Sequence, residues 1–212
     1  MGPGVRPIVL ALLAAATAGC LFARAEPREV HTFQLSPEGR FSGGEVRRPD
    51  VTAPVILVGL PQPEPGFDTP RMAYLTRPYE LNYYAVNEWA DTPARMLHPL
   101  MIRALEQTGD WRAVVAAPAL LRADYRVDVD SLAVAHEYVQ SPSRVRLSWR
   151  AQLIDLREGR VLGSRRFEAV RNAQTEDAYG GVRAAGQALE ELLSDTASWL
   201  GACAAGRDKA TC

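Results

Sequence analysis

The chain is nearly without lysine. Lys209 is the one lysine among 24 basic residues, and the other 23 are arginines. A basic patch here is an arginine patch, and the bias reflects genome composition as readily as function. Histidine and cysteine are scarce too, at three residues each among 212. Three cysteines cannot staple a disulfide scaffold. His31, His98 and His136 have no second histidine or cysteine at ligand spacing, so no metal site and no cofactor is expected. Net charge is −1, which leaves no electrostatic footprint for nucleic acid. A nucleophile elbow, a phosphate loop and a dinucleotide fingerprint are all missing, so the chain is not expected to be an enzyme. A composition of 47% hydrophobic and 23% charged residues excludes a disordered chain. The length suits one domain at ~150 residues per domain.

Long apolar runs are lacking except at the start. Residues 1–20 carry Arg6, an apolar run from Ile8 to about Ala16, then Thr17-Ala18-Gly19-Cys20. The run is shorter than the ~20 residues that span a bilayer and has the layout of a secretory signal. Small residues ending in Gly-Cys resemble a bacterial lipobox, although Thr17 stands where leucine is usual. On that reading residues 1–19 are cleaved and Cys20 becomes the lipidated first residue. The plainer alternative is an ordinary signal peptide with an incidental cysteine. Several acyl chains exceed the two signals needed for stable anchoring. Leu21, not Asp, follows the cysteine, which points to the outer membrane under the sorting rule of enteric lipoproteins. Residues 20–28 then form a lipid-anchored tether on a periplasmic domain over 29–200, with a tail over 201–212.

Breakers organise the domain. Ser36–Asp50 and Gly59–Pro70 read as loops, and Pro54–Val58 between them reads as a strand buried on both faces. Strands are expected at Val30–Leu35, Met72–Thr76 and Glu80–Val86. A helix follows, with Thr92 as N-cap, Pro93 at its first position and Gly109 as its stop. A short strand at Arg112–Val115 leads to two long strands around Gln140–Ser143. In the second, Val145, Leu147, Trp149, Ala151 and Leu153 alternate with Arg144, Arg146, Ser148, Arg150 and Gln152, which describes a half-buried strand with an arginine-rich outer face. In the first, the even positions are charged from Asp124 to Asp130 and apolar from Leu132 to Tyr138. This flip requires an extra residue near Asp130–Ser131, a β-bulge. A four-residue turn sets Val134 against Trp149 and Glu137 against Arg146. A third strand, Val161–Val170, precedes a helix over Glu176–Leu200, whose buried face includes Tyr179, Val182, Leu189 and Leu193. The expected class is α+β: a mainly antiparallel sheet with two principal helices packed on one face.

Eight arginines lie between Arg144 and Arg171 against Asp155, Glu158 and Glu168. They suit lipid head groups or an acidic partner, or form a solvated sheet face. Cys203 and Cys212 are placed beyond the last helix, where they either close a local disulfide or stay free or pair between molecules.

Arg71-Met-Ala-Tyr74, Tyr79-Glu-Leu, Tyr83-Tyr84, Trp89-Ala-Asp and Pro93, leading into the first helix, resemble the ABC-type transport auxiliary lipoproteins. The resemblance runs on through Asp124-Tyr125, Leu153 and Asp155, Arg166-Phe167 and the helix ending at Trp199, over about residues 28–200. It implies an outer-membrane-tethered accessory of an MCE-domain lipid transport system, whose partners are the periplasmic MCE protein and its ABC transporter or permease. Phospholipid contact and a homo-oligomer are further implications. Tyr74, Tyr83, Tyr84 and Trp89 are candidate partner contacts because aromatics anchor interfaces. Arg144, Arg146 and Arg150 join them. The alternative role is an assembly or envelope-integrity scaffold that does not touch lipid.

Overall fold

The structure is a computed structural model and describes residues 28–39, 48–206 and Cys212. The leader, Cys20 and most of the tether lie outside the described residues. The order of elements is β1 (His31–Phe33), β2 (Val55–Val58), β3 (Arg71–Leu75), β4 (Asn82–Trp89), α1 (Pro93–Thr108), β5 (Ala113–Ala116), β6 (Tyr125–Glu137), β7 (Arg144–Asp155), β8 (Arg160–Asn172) and α2 (Ala178–Ala204).

The α+β class holds, but the sheet is not mainly antiparallel. It is one mixed sheet of eight strands, and among the described residues four pairings are parallel (β1·β4, β2·β5, β2·β6 and β3·β6) against three antiparallel (β3·β4, β6·β7 and β7·β8). The reason lies in β6. Thirteen residues long, it takes β7 along one edge and two separate short strands along the other. Tyr125–Val127 pairs with β2 and Ala135–Glu137 with β3, both parallel. The stretch between is not a free loop either. Residues 59–64, expected as loop, run beside β6, with Gly59 N donating to Val127 O, Gln62 N to Val129 O and Glu64 N to Leu132 O.

The expected bulge is present. Ser131 has φ 53°, and Ser131 and Leu132 together face Trp149 between the pairs Asp130↔Arg150 and Ala133↔Ser148. The extra residue keeps Val127 and Val129 before it, and Leu132 and Val134 after it, on the buried face. The expected register was off by two. Val134 lies opposite Leu147 and Glu137 opposite Arg144, because the connection spans residues 138–143 rather than four residues. A slip of two returns every side chain to its own face, so the alternation still predicted burial correctly.

In α1, Thr92 Oγ1 accepts from Arg95 N at 3.4 Å, and Gly109 at φ 71° makes the left-handed cap that only glycine adopts freely. α2 runs four residues further than expected, so Cys203 belongs to it and is buried. Both helices join the inward residues of β2, β6 and β7 in one core. Trp149 is its largest fully buried side chain, and its Nε1 donates to Thr196 Oγ1 at 3.2 Å. Tyr179, expected on the buried face of α2, is exposed, and Val182 is half-buried.

Candidate functional site

The expected partner residues fall into three environments. Trp89 is 3% exposed and is a core residue, not a surface contact. It closes β4, where its N–H donates to Pro70 O at 2.7 Å. Tyr83 is half-buried; its hydroxyl donates to Gly66 O at 2.7 Å and Arg71 stacks 4.0 Å over its ring. Tyr74 and Tyr84 pack against one another with centroids 4.8 Å apart.

Arg144, Arg146, Arg150 and Arg166 lie on the sheet face opposite the helices, and each has an acid beside it. Arg144 Nε and Arg146 Nε donate to the two oxygens of Glu137, at 2.6 and 2.7 Å. Arg146 also pairs with Glu168. Arg150 forks onto both oxygens of Asp130, at 2.9 and 2.7 Å. Arg166 reaches Glu64 at 4.0 Å and Arg171 pairs with Glu191. Apart from Arg165, which stacks over the Phe167 ring, the local excess read from residues 144–171 is therefore matched, largely by acids on β6, on α2 and in the 59–64 stretch. Burial pushes the Glu137 carboxyl up, but Arg146 and Arg144 outweigh it and hold it below the usual range. The face is a lattice of matched charge with fixed donor geometry, suited to reading a polar partner rather than attracting one at long range.

A second constellation was not read from the sequence. His136 is 3% exposed, yet both ring nitrogens are satisfied. Tyr84 Oη lies 3.0 Å from Nδ1 and Ser143 Oγ 2.9 Å from Nε2. Tyr138 Oη lies 2.7 Å from Tyr84 Oη. Ser143 N donates to Glu176 Oε1 at 2.9 Å. One directed chain satisfies these atoms with a neutral imidazole. Tyr138 donates to Tyr84, Tyr84 donates to Nδ1, and Nε2–H donates to Ser143. Burial holds the His136 pKa below its ordinary value, opposed by Glu176 and Asp177. Burial raises the Tyr84 phenol. Gly181 makes room, since a Cβ there would stand 2.5 Å from Nδ1. A serine beside an imidazole resembles an activated nucleophile, but Ser143 is fully buried and a substrate could not reach it. The network instead joins β4, the β6–β7 turn and the start of α2. Its signal in the sequence was weak: His136 sits on the apolar parity of a strand, and Tyr84 is 52 positions away.

The other end is held differently. Asp124 Oδ2 accepts from Val55 N at 2.8 Å, and Oδ1 accepts from Arg157 Nε at 2.7 Å. Burial raises this carboxyl, but the Val55 N–H and Arg157 bring it below its ordinary value. Cys203 and Cys212 form a disulfide with Cα atoms 5.6 Å apart. The clasp does more than close the tail. It seats Cys212 over β8, where a Cβ on Gly163 would meet Cys212 O at 2.8 Å and the Trp199 ring at 3.2 Å. A cleft of about 450 Å³ opens beside it, lined by Tyr125, Asp155, Arg160 and Leu162.

The fold recurs in solved structures. A protein from Xanthomonas campestris is similar at 26% identity and TM-score 0.68, over 77% of this chain and 95% of its own. A hypothetical protein from Chlamydia trachomatis is similar in fold at 9% identity and TM-score 0.50, over 73% of this chain and 99% of its own. No match is found among curated proteins. The model of the ABC-type transport auxiliary lipoprotein component family matches residues 33–197, from β1 into the last third of α2. With that span covered, the chain belongs to the family of ABC-type transport auxiliary lipoproteins.

Proposed function

We propose that this lipoprotein is anchored through Cys20 to the periplasmic face of the outer membrane of a Gram-negative bacterium. There it binds and positions the MCE-domain component of an ABC-type system that moves phospholipid or another hydrophobic solute. The match of the family model over residues 33–197 carries this reading. The lipobox-like Thr17–Cys20 and Leu21 support the anchor and its membrane. The protein works by docking, not by catalysis. Its Ser143–His136 pair is sealed in the core, while its matched arginine face is open to a partner. Arg144, Arg146 and Arg150, with Tyr83 on the same face of the sheet, are the contact residues of this reading, whereas Tyr74 lies on the other face with His136.

Affinity capture of the lipidated protein from native membranes, followed by mass spectrometry, tests it. Recovery of an MCE-domain protein with ABC or permease subunits is expected. Recovery of neither overturns the role. In a fractionation, Cys20→Ser is expected to move the protein from the membrane to the soluble pool, and unchanged membrane association overturns the anchor.

A further inference from the structure

We propose that the end of the domain bearing the β3–β4 and β6–β7 turns lies on the bilayer surface, with Tyr79, Val139 and Tyr179 as its contact tips. The proposal rests on the anchor at Cys20.

Three elements meet at this end and are bonded to one another. Tyr138 N in the β6–β7 turn donates to Leu75 O at the close of β3, 2.7 Å away. Ala173 N donates to Ser143 O at 2.8 Å, and Ser143 N to Glu176 just before α2. Each element presents an apolar or aromatic side chain to solvent. Tyr79 in the β3–β4 turn is 105% exposed, Tyr179 in the first turn of α2 is 59% exposed and Val139 is 49% exposed. Val30, just before β1, is exposed as well.

Tyr79 is the most telling. Its φ is 68°, a left-handed conformation that costs a bulky residue energy and that glycine or asparagine would adopt more readily. Neither the backbone nor packing asks for tyrosine there. A rigid, amphipathic ring on a projecting turn suits a membrane–water interface, where tyrosine keeps its hydroxyl wet and its ring among acyl ends.

The path of the chain selects the bilayer as the occupant. β1 is parallel to β4, and β4 runs away from the β3–β4 turn, so the residues before His31 come from the turn end. Tyr179 lies beside this entry, its ring 6.5 Å from Phe33 of β1. Residues 20–27 reach at most roughly 30 Å when extended. A tether of that reach, joined to a strand that starts on the side of the turns, brings this end to the membrane first. The 13 residues of β6 place the opposite end about 40 Å away. Arg77 is paired with Glu80, Glu137 with Arg144 and Arg146, and Asp177 caps α2, while Arg28 and Glu29 beside Val30 are of opposite sign and adjacent. Contact is therefore made by the tips and is insensitive to salt.

The test uses the full lipidated protein in vesicles of phosphatidylethanolamine and phosphatidylglycerol. An environment-sensitive fluorophore is attached to Tyr79→Cys, Val139→Cys or, at the far end, Leu120→Cys, which replaces another fully exposed side chain. Blue-shifted emission and quenching by lipid-borne quenchers are expected at 79 and 139, with no change at 120, in low and high salt alike. Aqueous emission at 79 and 139 from protein that floats with the vesicles overturns the orientation while leaving the anchor standing. Failure to float overturns the anchor and the orientation with it. Tyr79→Gly, which relieves the left-handed backbone, is expected to melt no lower than wild type and to weaken the shift at 139. An unchanged shift at 139 removes Tyr79 from the contact.

Discussion

The two ends of the long β6–β7 ladder are tied by opposite chemistry. At the turn end, three elements are joined through a buried imidazole and two phenols, all neutral. At the other end, β2, β6 and the β7–β8 turn meet on an ionised aspartate, and a disulfide folds the last residue onto β8. The buried network has little solvent to screen it, so each bond there depends on its neighbours. The charged tie is partly wet, and losing it is cushioned by water. One end is thus sensitive to a proton on His136, and the other to reductant and stronger acid.

The largest break in this contrast is expected from His136→Ala. It leaves Tyr84 and Ser143 without their partner and opens a cavity, at a cost of about 3 kcal/mol in urea unfolding. The same residue gives the turn end a pH signature. The folded pKa of His136 lies below its unfolded value of about 6.5, so the unfolded chain takes up the proton first as pH falls. Stability is therefore full above about pH 6.5 and declines below it until the folded pKa is passed. A His136→Gln protein is expected to lack that decline in thermal melts across pH 7 to 5.

Removing the disulfide ranks next. Cys203 and Cys212 are nine positions apart, and opening so short a loop costs about 2.5 kcal/mol at most. Melts with and without reductant measure it, and the loss is expected to be the same at pH 7 and pH 5. Gly181→Ala sharpens the comparison from the turn end. Its methyl would press on His136 Nδ1, so a loss of about 1–2 kcal/mol is expected, with a smaller pH dependence as the imidazole is displaced. The smallest effect is Asp124→Asn, about 1 kcal/mol, since the amide oxygen can still accept from Val55 N. The folded Asp124 pKa is lowered, so the charged tie contributes above about pH 4 and is lost as pH falls through the folded value.

The same contrast explains what could be read in advance. The long antiparallel strands write their pattern locally. The parity flip across Asp130–Ser131 gave the bulge, and the alternation from Val145 to Leu153 gave the inward face of β7. The parallel pairings of β1, β2 and β3 join segments far apart in the chain, and three to five residues carry no mark of their neighbour's direction. The β6–β7 register escaped because Tyr138 and Val139 were counted as strand. The site escaped for a related reason. His136 looked like any inward strand position, and beyond the expected Glu137–Arg146 pair the Arg144–Arg171 excess looked unpaired, because Tyr84, Asp130 and Glu191 answer to them only after folding. Trp89 was counted with the tyrosines around it, although it closes a strand whose last residue turns into the core.

The central claim is that this lipoprotein docks a transport partner. It is tested most directly by photo-crosslinking from position 150, replaced by a photoreactive amino acid on the open arginine face, in native envelopes. The account predicts a crosslink to an MCE-domain protein that is lost when that protein's gene is deleted. A lipidated, membrane-bound protein that crosslinks to no transport component, from position 150 or from 144 and 146 beside it, would contradict it.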